Sequence, residues 1–181
     1  MQFKDTGFAG LFLIELGPNW DERGYFARTF CAETFAGRGL QTHYPQCGSA
    51  FNGKAGTVRG MHFQKSPHAK VKLVRCTRGA IFDVVIDLRP DSATYLQAYR
   101  AELAEGDGCE LYVPEGFAHG YQSLRDASEV HYMLSRHYVP EAASGVRWDD
   151  PAFAVSWPLP ITVISRRDRE WPSFLRPDNK S

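Results

Sequence analysis

VKLVRCTRGAIFDVVIDL, running from Val71 to Leu88, is the stretch from which the fold can be read. Val71, Leu73 and Arg75 alternate with Lys72, Val74 and Cys76, the period of two that an extended chain imposes. Arg78-Gly79 can turn the chain. Beyond it Ala80, Phe82, Val84, Ile86 and Leu88 share one face. The pattern predicts a β-hairpin feeding a half-buried sheet. The next run, Asp87 to Ser92, reads as a loop, because Pro90 has no ladder donor.

Working outward, short runs rich in Val, Ile, Phe, Tyr and Thr predict strands at 11–16, 57–64, 95–103, 110–113, 119–124 and 129–136. Short helices are expected at 32–38 and after Ser165. The 16 glycines and 11 prolines punctuate these runs as turn markers, and there is no repeat, linker or low-complexity tract. Many short strands between turn signals predict an all-β sandwich or barrel. The 181 residues suit one domain with a core of its own. The 21 basic and 21 acidic residues balance, so no global field points to nucleic acid or an anionic membrane. The N-terminal apolar stretch lacks a basic flank and a small-residue cleavage site, and reads as a strand rather than a signal peptide. No apolar run approaches the roughly 20 residues of a membrane helix. Cys31, Cys47, Cys76 and Cys109 form no CxxC pair, and free thiols point to a reducing cytoplasm.

Several residues stand out chemically. In Arg59-Gly60-Met61-His62-Phe63-Gln64 an extended chain puts Gly60, His62 and Gln64 on one face and Arg59, Met61 and Phe63 on the other. Gly60 then leaves room beside His62, whose imidazole can serve as a general base; a core histidine bonded to a carbonyl is the plainer alternative. Lys72 interrupts an apolar strand, so it either meets an anion such as a developing oxyanion or faces solvent. Pro114 to Gly120 reads as a turn delivering His119 to the next strand. Two histidines on neighbouring strands raise the question of a metal. Gln64 and Lys72 stand where further ligands would be needed, which disfavours one. Tyr132 can act as a proton donor or simply pack. Asp168, in a charged run, can orient a histidine or lie on a solvated helix face. Trp148 to Pro151 and Trp157 to Leu159 read as structural anchors.

Taken in order, these motifs resemble the dTDP-4-dehydrorhamnose 3,5-epimerase family, a branch of the cupin-like jelly rolls. The resemblance rests on Asp21-Glu22-Arg23-Gly24-Tyr25-Phe26, Arg59 to Gln64, Pro67-His68-Ala69 before Lys72 to Arg75, and Arg78-Gly79 before Phe82-Asp83-Val84. It continues through Pro114 to Gly120, Trp148 to Pro151, Ser165 to Asp168 and Trp171-Pro172, spanning nearly the whole chain.

The resemblance implies a nucleotide-sugar epimerase acting beside the ketone of a 4-keto-6-deoxyhexose, at C3, C5 or both. His62 is then the base, Asp168 its orienting partner, Lys72 the stabiliser of the enolate oxygen, and Tyr132 the acid on the opposite face. Arg23 and Arg59 would clamp the diphosphate, with Phe26, Gln46 and Tyr138 at the nucleotide and His119 and Arg167 as further substrate contacts. No cofactor or metal is implied, since the ketone is itself the electron sink. A homodimer is implied, the N-terminal strands of one subunit completing the other's nucleotide pocket. Nucleic acid and membrane are not expected partners.

Departures from the family pattern fall on the nucleotide side: Arg28 where an acid is usual, Gly48 or Ser49 where Asn is usual, Ala143 where Glu is usual, and Arg167 for lysine. They leave the preferred base open, CDP sugars included. The rival readings are a C3-only or C5-only epimerase, a metal-dependent cupin, and a binding module without catalysis.

Overall fold

The computed structural model describes residues 1–174. The chain opens with β1 (Gln2–Asp5) and β2 (Phe12–Glu15), a small hairpin of β3 (Asn19–Asp21) and β4 (Gly24–Phe26), and helix α1 (Ala32–Ala36). Next come β5 (Gln46–Asn52), β6 (Thr57–Gln64), β7 (Lys72–Arg78), β8 (Ala80–Asp87) and β9 (Ala98–Ala104). Then follow β10 (Cys109–Val113), β11 (Phe117–Ser123), β12 (Ser128–Leu134), β13 (Ala143–Gly145), β14 (Val163–Ile164) and α2 (Arg166–Arg169).

Two sheets face each other. The first has the order β1-β2-β10-β7-β12-β5, the second β13-β6-β11-β8-β9, with β14 beside β6. Among these pairings only β14 with β6 is parallel. The result is a jelly-roll β-sandwich, as the resemblance implied. Leu11, Val74, Ile81, Val85, Leu111, Phe117 and Val130 fill the space between the sheets. The outer face of the first sheet is covered by Phe35 of α1 against Ile14, Leu73 and Tyr112. That of the second is covered by Val146 and Phe153 against Met61, Val84 and Ile86. No described helix is long and apolar enough to cross a membrane.

The expected hairpin at Arg78-Gly79 is not one. β7 lies in the first sheet and β8 in the second, so the chain turns a corner between sheets there. Gly79 sits at φ 74°, and a Cβ on it would lie 2.4 Å from Ser128 Oγ, so only glycine passes this corner. Nor is β8 half-buried. Ile81 and Val85 face the inner core while Val84 and Ile86 face the outer one, because a segment of later chain lies over that sheet. Alternation with apolar residues on both faces marks a doubly covered strand.

Candidate functional site

A cavity of about 380 Å³ opens between the sheets, large enough for a small organic substrate. Its wall includes Arg59 and His62 from β6, Lys72 from β7, His119 and Tyr121 from β11, and Tyr132 from β12.

Arg59 and His62 both face this cavity, contrary to strict alternation. On β11, Tyr121 pairs with Arg59 and His119 with His62, so Gly60 and Met61 together oppose Gly120 alone. This β-bulge shifts the phase of the strand and turns both side chains inward. Two glycines make the bulge possible, since a Cβ on Gly60 would lie 2.6 Å from Gly120 Cα. The room beside His62 is therefore taken up by neighbouring backbone and is not open to a ligand.

His62 Nε2 lies 2.6 Å from Asp168 Oδ1, and Gly60 N–H donates to Asp168 Oδ2 at 3.2 Å. Asp168 comes from the first turn of α2, where Ser165 Oγ caps its backbone N–H at 3.0 Å. Burial alone would raise the Asp168 carboxyl. The hydrogen bond and attraction of His62 and the Gly60 amide outweigh it, holding the group below its ordinary value. An ionised Asp168 accepts only, so Nε2 carries the proton and the lone pair sits on Nδ1, the nitrogen able to take a proton. The solvated-face reading of Asp168 does not hold: its side chain is 6% exposed.

Lys72 faces inward, and its Nζ donates to the His62 carbonyl at 3.0 Å. Burial, aided by nearby Lys70, pulls its ammonium down to about 7. Such a group gains much by meeting an anion. His119 is buried and its Nε2 contacts both oxygens of Asp83, at 3.0 and 2.9 Å. Burial, with Lys72 beside it, lowers the imidazole below its usual value despite Asp83. Tyr132 packs edge-on to His119, ring centres 6.1 Å apart. Burial raises its phenol well above the ordinary value, with Tyr121 and Asp83 adding to the effect.

The rest of the expected set divides. Tyr138 and Arg167 line the same cavity, and Arg167 donates to the Tyr138 hydroxyl at 3.2 Å. Gln46 stands behind them, its Oε1 accepting the Tyr138 N–H at 2.7 Å. Gln64 spends its amide on loop backbone, donating to His68 O and accepting from Val139 N. Among the described residues no three His, Cys, Asp or Glu converge as a metal-ligand set. Arg23 and Phe26 are not brought to the cavity by their own chain. Arg23 is exposed and pairs with Asp21, while Phe26 is 68% exposed beside Arg28 and Cys31 in a separate recess. Asp83, Asn52 and Tyr121 were missed. The period of two from His119 would have found Tyr121.

A family model described as dTDP-4-dehydrorhamnose 3,5-epimerase matches residues 5–176. Proteins of that name from Sinorhizobium fredii and Methanothermobacter thermautotrophicus are each 40% identical to this chain. The first alignment covers 96% of this chain and 90% of the relative, the second 94% and 92%. The crystal structure of dTDP-4-dehydrorhamnose 3,5-epimerase from Bacillus anthracis, with TDP and PPi bound, superposes with a TM-score of 0.92 at 35% identity. It covers 96% of this chain and 99% of that one.

Proposed function

Because the chain belongs to the dTDP-4-dehydrorhamnose 3,5-epimerase family, we propose that its cavity holds the keto sugar of a dTDP-4-keto-6-deoxyhexose and inverts the carbons beside the ketone. The protein is an isomerase of the nucleotide-sugar epimerase class. The observation that carries the site assignment is the His62–Asp168 pair at 2.6 Å sharing one cavity with Lys72 and Tyr132.

In this reading His62 removes the proton from the carbon next to the carbonyl, and Asp168 stabilises the imidazolium that forms. The C–H electrons become the enolate double bond, and charge collects on oxygen, where the Lys72 ammonium meets it. Tyr132 then gives its proton to the other face of the flat carbon, so the centre is inverted. The ketone supplies the electron sink, and no step calls for a cofactor. Arg59, Tyr138, Arg167, Gln46 and His119 bind the rest of the nucleotide sugar in this scheme.

Arg23 and Phe26 fit the scheme through a homodimer, in which the exposed β3–β4 hairpin of one copy closes the nucleotide end of the other. The exposed Trp20, Tyr25 and Phe26 rings on that hairpin support the idea. The free thiols of Cys31, Cys47, Cys76 and Cys109 suit work in the cytoplasm.

Incubating dTDP-4-keto-6-deoxyglucose with the enzyme in heavy water tests the chemistry. Deuterium is expected at C3 and C5, read by NMR. His62→Ala is expected to abolish exchange, and Tyr132→Phe to lower inverted product more than exchange. Exchange that survives in His62→Ala removes it as the base, and equal losses in Tyr132→Phe remove it as the specific donor.

A further inference from the structure

Asn52 is a buried polar side chain that the mechanism leaves without a task. It ends β5 of the first sheet and is 2% exposed, whereas Arg59, on β6 of the second sheet, stands exposed along the cavity wall. Arg59 Nε donates to Asn52 Oδ1 at 2.8 Å, and Arg59 Nη2 donates to Phe51 O at 3.0 Å. Nε and Nη2 share one edge of the guanidinium plane, so β5 grips that edge at both of its nitrogens.

The neighbours of Asn52 fix which way its amide points. Arg59 Nε–H can only donate, so the amide oxygen must face it. Ala50 O and Ser128 O, each 3.2 Å from Asn52 Nδ2, can only accept, so the NH2 group must face them. The Tyr121 hydroxyl, 3.2 Å from Oδ1, donates to the lone pair that remains. Every polar atom of the side chain is thus engaged, and a buried amide so held does not swing away from Arg59. An aspartate in its place would set a second oxygen against the two carbonyls.

The grip leaves Arg59 its outer edge, the N–H groups of Nη1 and Nη2 that point away from β5. Such an edge matches two oxygens of one phosphate. The holders are also neutral, an amide and a peptide carbonyl, and among the described residues Arg59 enters no ion pair. Its charge therefore remains available to a ligand, whereas that of Arg23 is already matched by Asp21.

We propose that Asn52 is a positioning residue for substrate binding, holding Arg59 by its inner edge so that the outer edge stands ready for a phosphate of the nucleoside diphosphate. This role rests on reading Arg59 as a diphosphate contact. An arginine already held in place gives up less side-chain freedom when the ligand arrives. Asn52 then acts on affinity and not on the proton transfers.

Asn52→Ala removes the hold and leaves Arg59 present. The Kd for dTDP, measured by calorimetry, is expected to rise about tenfold, near the lower end of what a hydrogen bond to a charged group contributes. KM for dTDP-4-keto-6-deoxyglucose should rise by a similar factor with kcat little changed. Asn52→Ser, whose hydroxyl can still meet one carbonyl but stops short of Arg59, should give the same shift if Asn52→Ala folds poorly. Arg59→Met should weaken dTDP binding by itself, and Asn52→Ala added to it should weaken binding no further. A loss of the same size in the Arg59→Met background overturns the role, because Asn52 would then act through the fold and not through Arg59. A fall in kcat with KM unchanged overturns it too, as does an unchanged Kd in both Asn52 variants beside a weakened Arg59→Met. If Arg59→Met binds dTDP as tightly as the wild type, the reading of Arg59 fails, and the role of Asn52 with it.

Discussion

Lys72 and Glu110 are buried on opposite faces of the first sheet, Lys72 inside and Glu110 outside, and their surroundings differ. Lys72 points into the cavity and donates to the His62 carbonyl; burial brings its ammonium down to about 7. Glu110 is 1% exposed on the face covered by α1, and burial pushes its carboxyl up to about 8 although Arg75 pulls it down. Its Oε1 has no hydrogen-bond partner among the described residues, and neither has the Tyr44 hydroxyl nearby. Around the cavity His62, His119 and Tyr121 are all partnered, by Asp168, Asp83 and Asn52. A buried titratable group does not mark a site by itself. What distinguishes the inner face is that its polar groups converge on one cavity and fix each other's orientation.

The sharpest way to break this comparison is to make both groups neutral and read activity and stability together. Lys72→Met should lower kcat by about 10²–10³, the loss typical of removing one oxyanion stabiliser. It should also raise stability by roughly 0.5–2 kcal/mol near neutral pH, because functional groups are held at a cost to the fold. The sign follows from linkage. The folded value lies below the ordinary 10.5, so the unfolded chain binds more protons between about 7 and 10.5 and stability rises with pH across that window. The gain from Lys72→Met is therefore largest below pH 7 and fades towards pH 10.5. In the wild-type enzyme kcat/KM should fall as pH rises past about 7, as the ammonium is lost. Urea unfolding across pH, with rate profiles, checks all of this. A Lys72→Met enzyme with unchanged kcat would remove the lysine from the chemistry.

Glu110→Gln should leave kcat alone and change only the fold. Here the folded value lies above the ordinary 4.5, so the folded chain keeps a proton that the unfolded chain has released. Stability contributed at low pH is then lost as pH rises from 4.5 to about 8. The variant should gain about 1–3 kcal/mol over wild type at pH 9, the cost of one uncompensated buried group, and nothing near pH 4. A difference independent of pH would mean that Glu110 is not a buried neutral acid.

The contrast between the faces also explains what could be read from the sequence. β6 was legible to the residue, 57–64, because turn-prone residues bound a short run of strand-forming residues. The inward placement of Lys72 was one of two open readings, since a lysine in an apolar strand is costly wherever it is not partnered. Arg59 was assigned to the wrong face because the bulge opposite Gly120 is set by another strand, and period counting on one strand does not contain it. The corner at Gly79 failed for a related reason: alternation shows that two strands follow each other, not which sheet each joins. His62 and Asp168, 106 residues apart, meet only through the fold, so their pairing came from the resemblance and not from any local signal. Asn52 and Tyr121 carried no motif of their own, and Asp83 stood in a motif of the resemblance without a role attached to it. Arg23 and Phe26 came from the resemblance too, and their own chain leaves them at a separate surface.

The smallest effect is the most discriminating for the outer face. Tyr44→Phe removes a hydroxyl that is desolvated on folding without gaining a described partner. Keeping the ring preserves its edge contact with Phe30, centroids 5.3 Å apart, so packing is held constant while one polar atom disappears. An orphan hydroxyl contributes nothing and costs its lost hydration, so the variant should be stabilised by up to about 1 kcal/mol. The gain should be the same with Glu110 intact or as Glu110→Gln at pH 6, where the acid is neutral in both. A loss of more than about 1 kcal/mol would show that Tyr44 has a hydrogen-bond partner on that face. If the loss vanished in the Glu110→Gln background, the partner would be the Glu110 carboxyl, and the outer face would hold a matched pair as the inner one does.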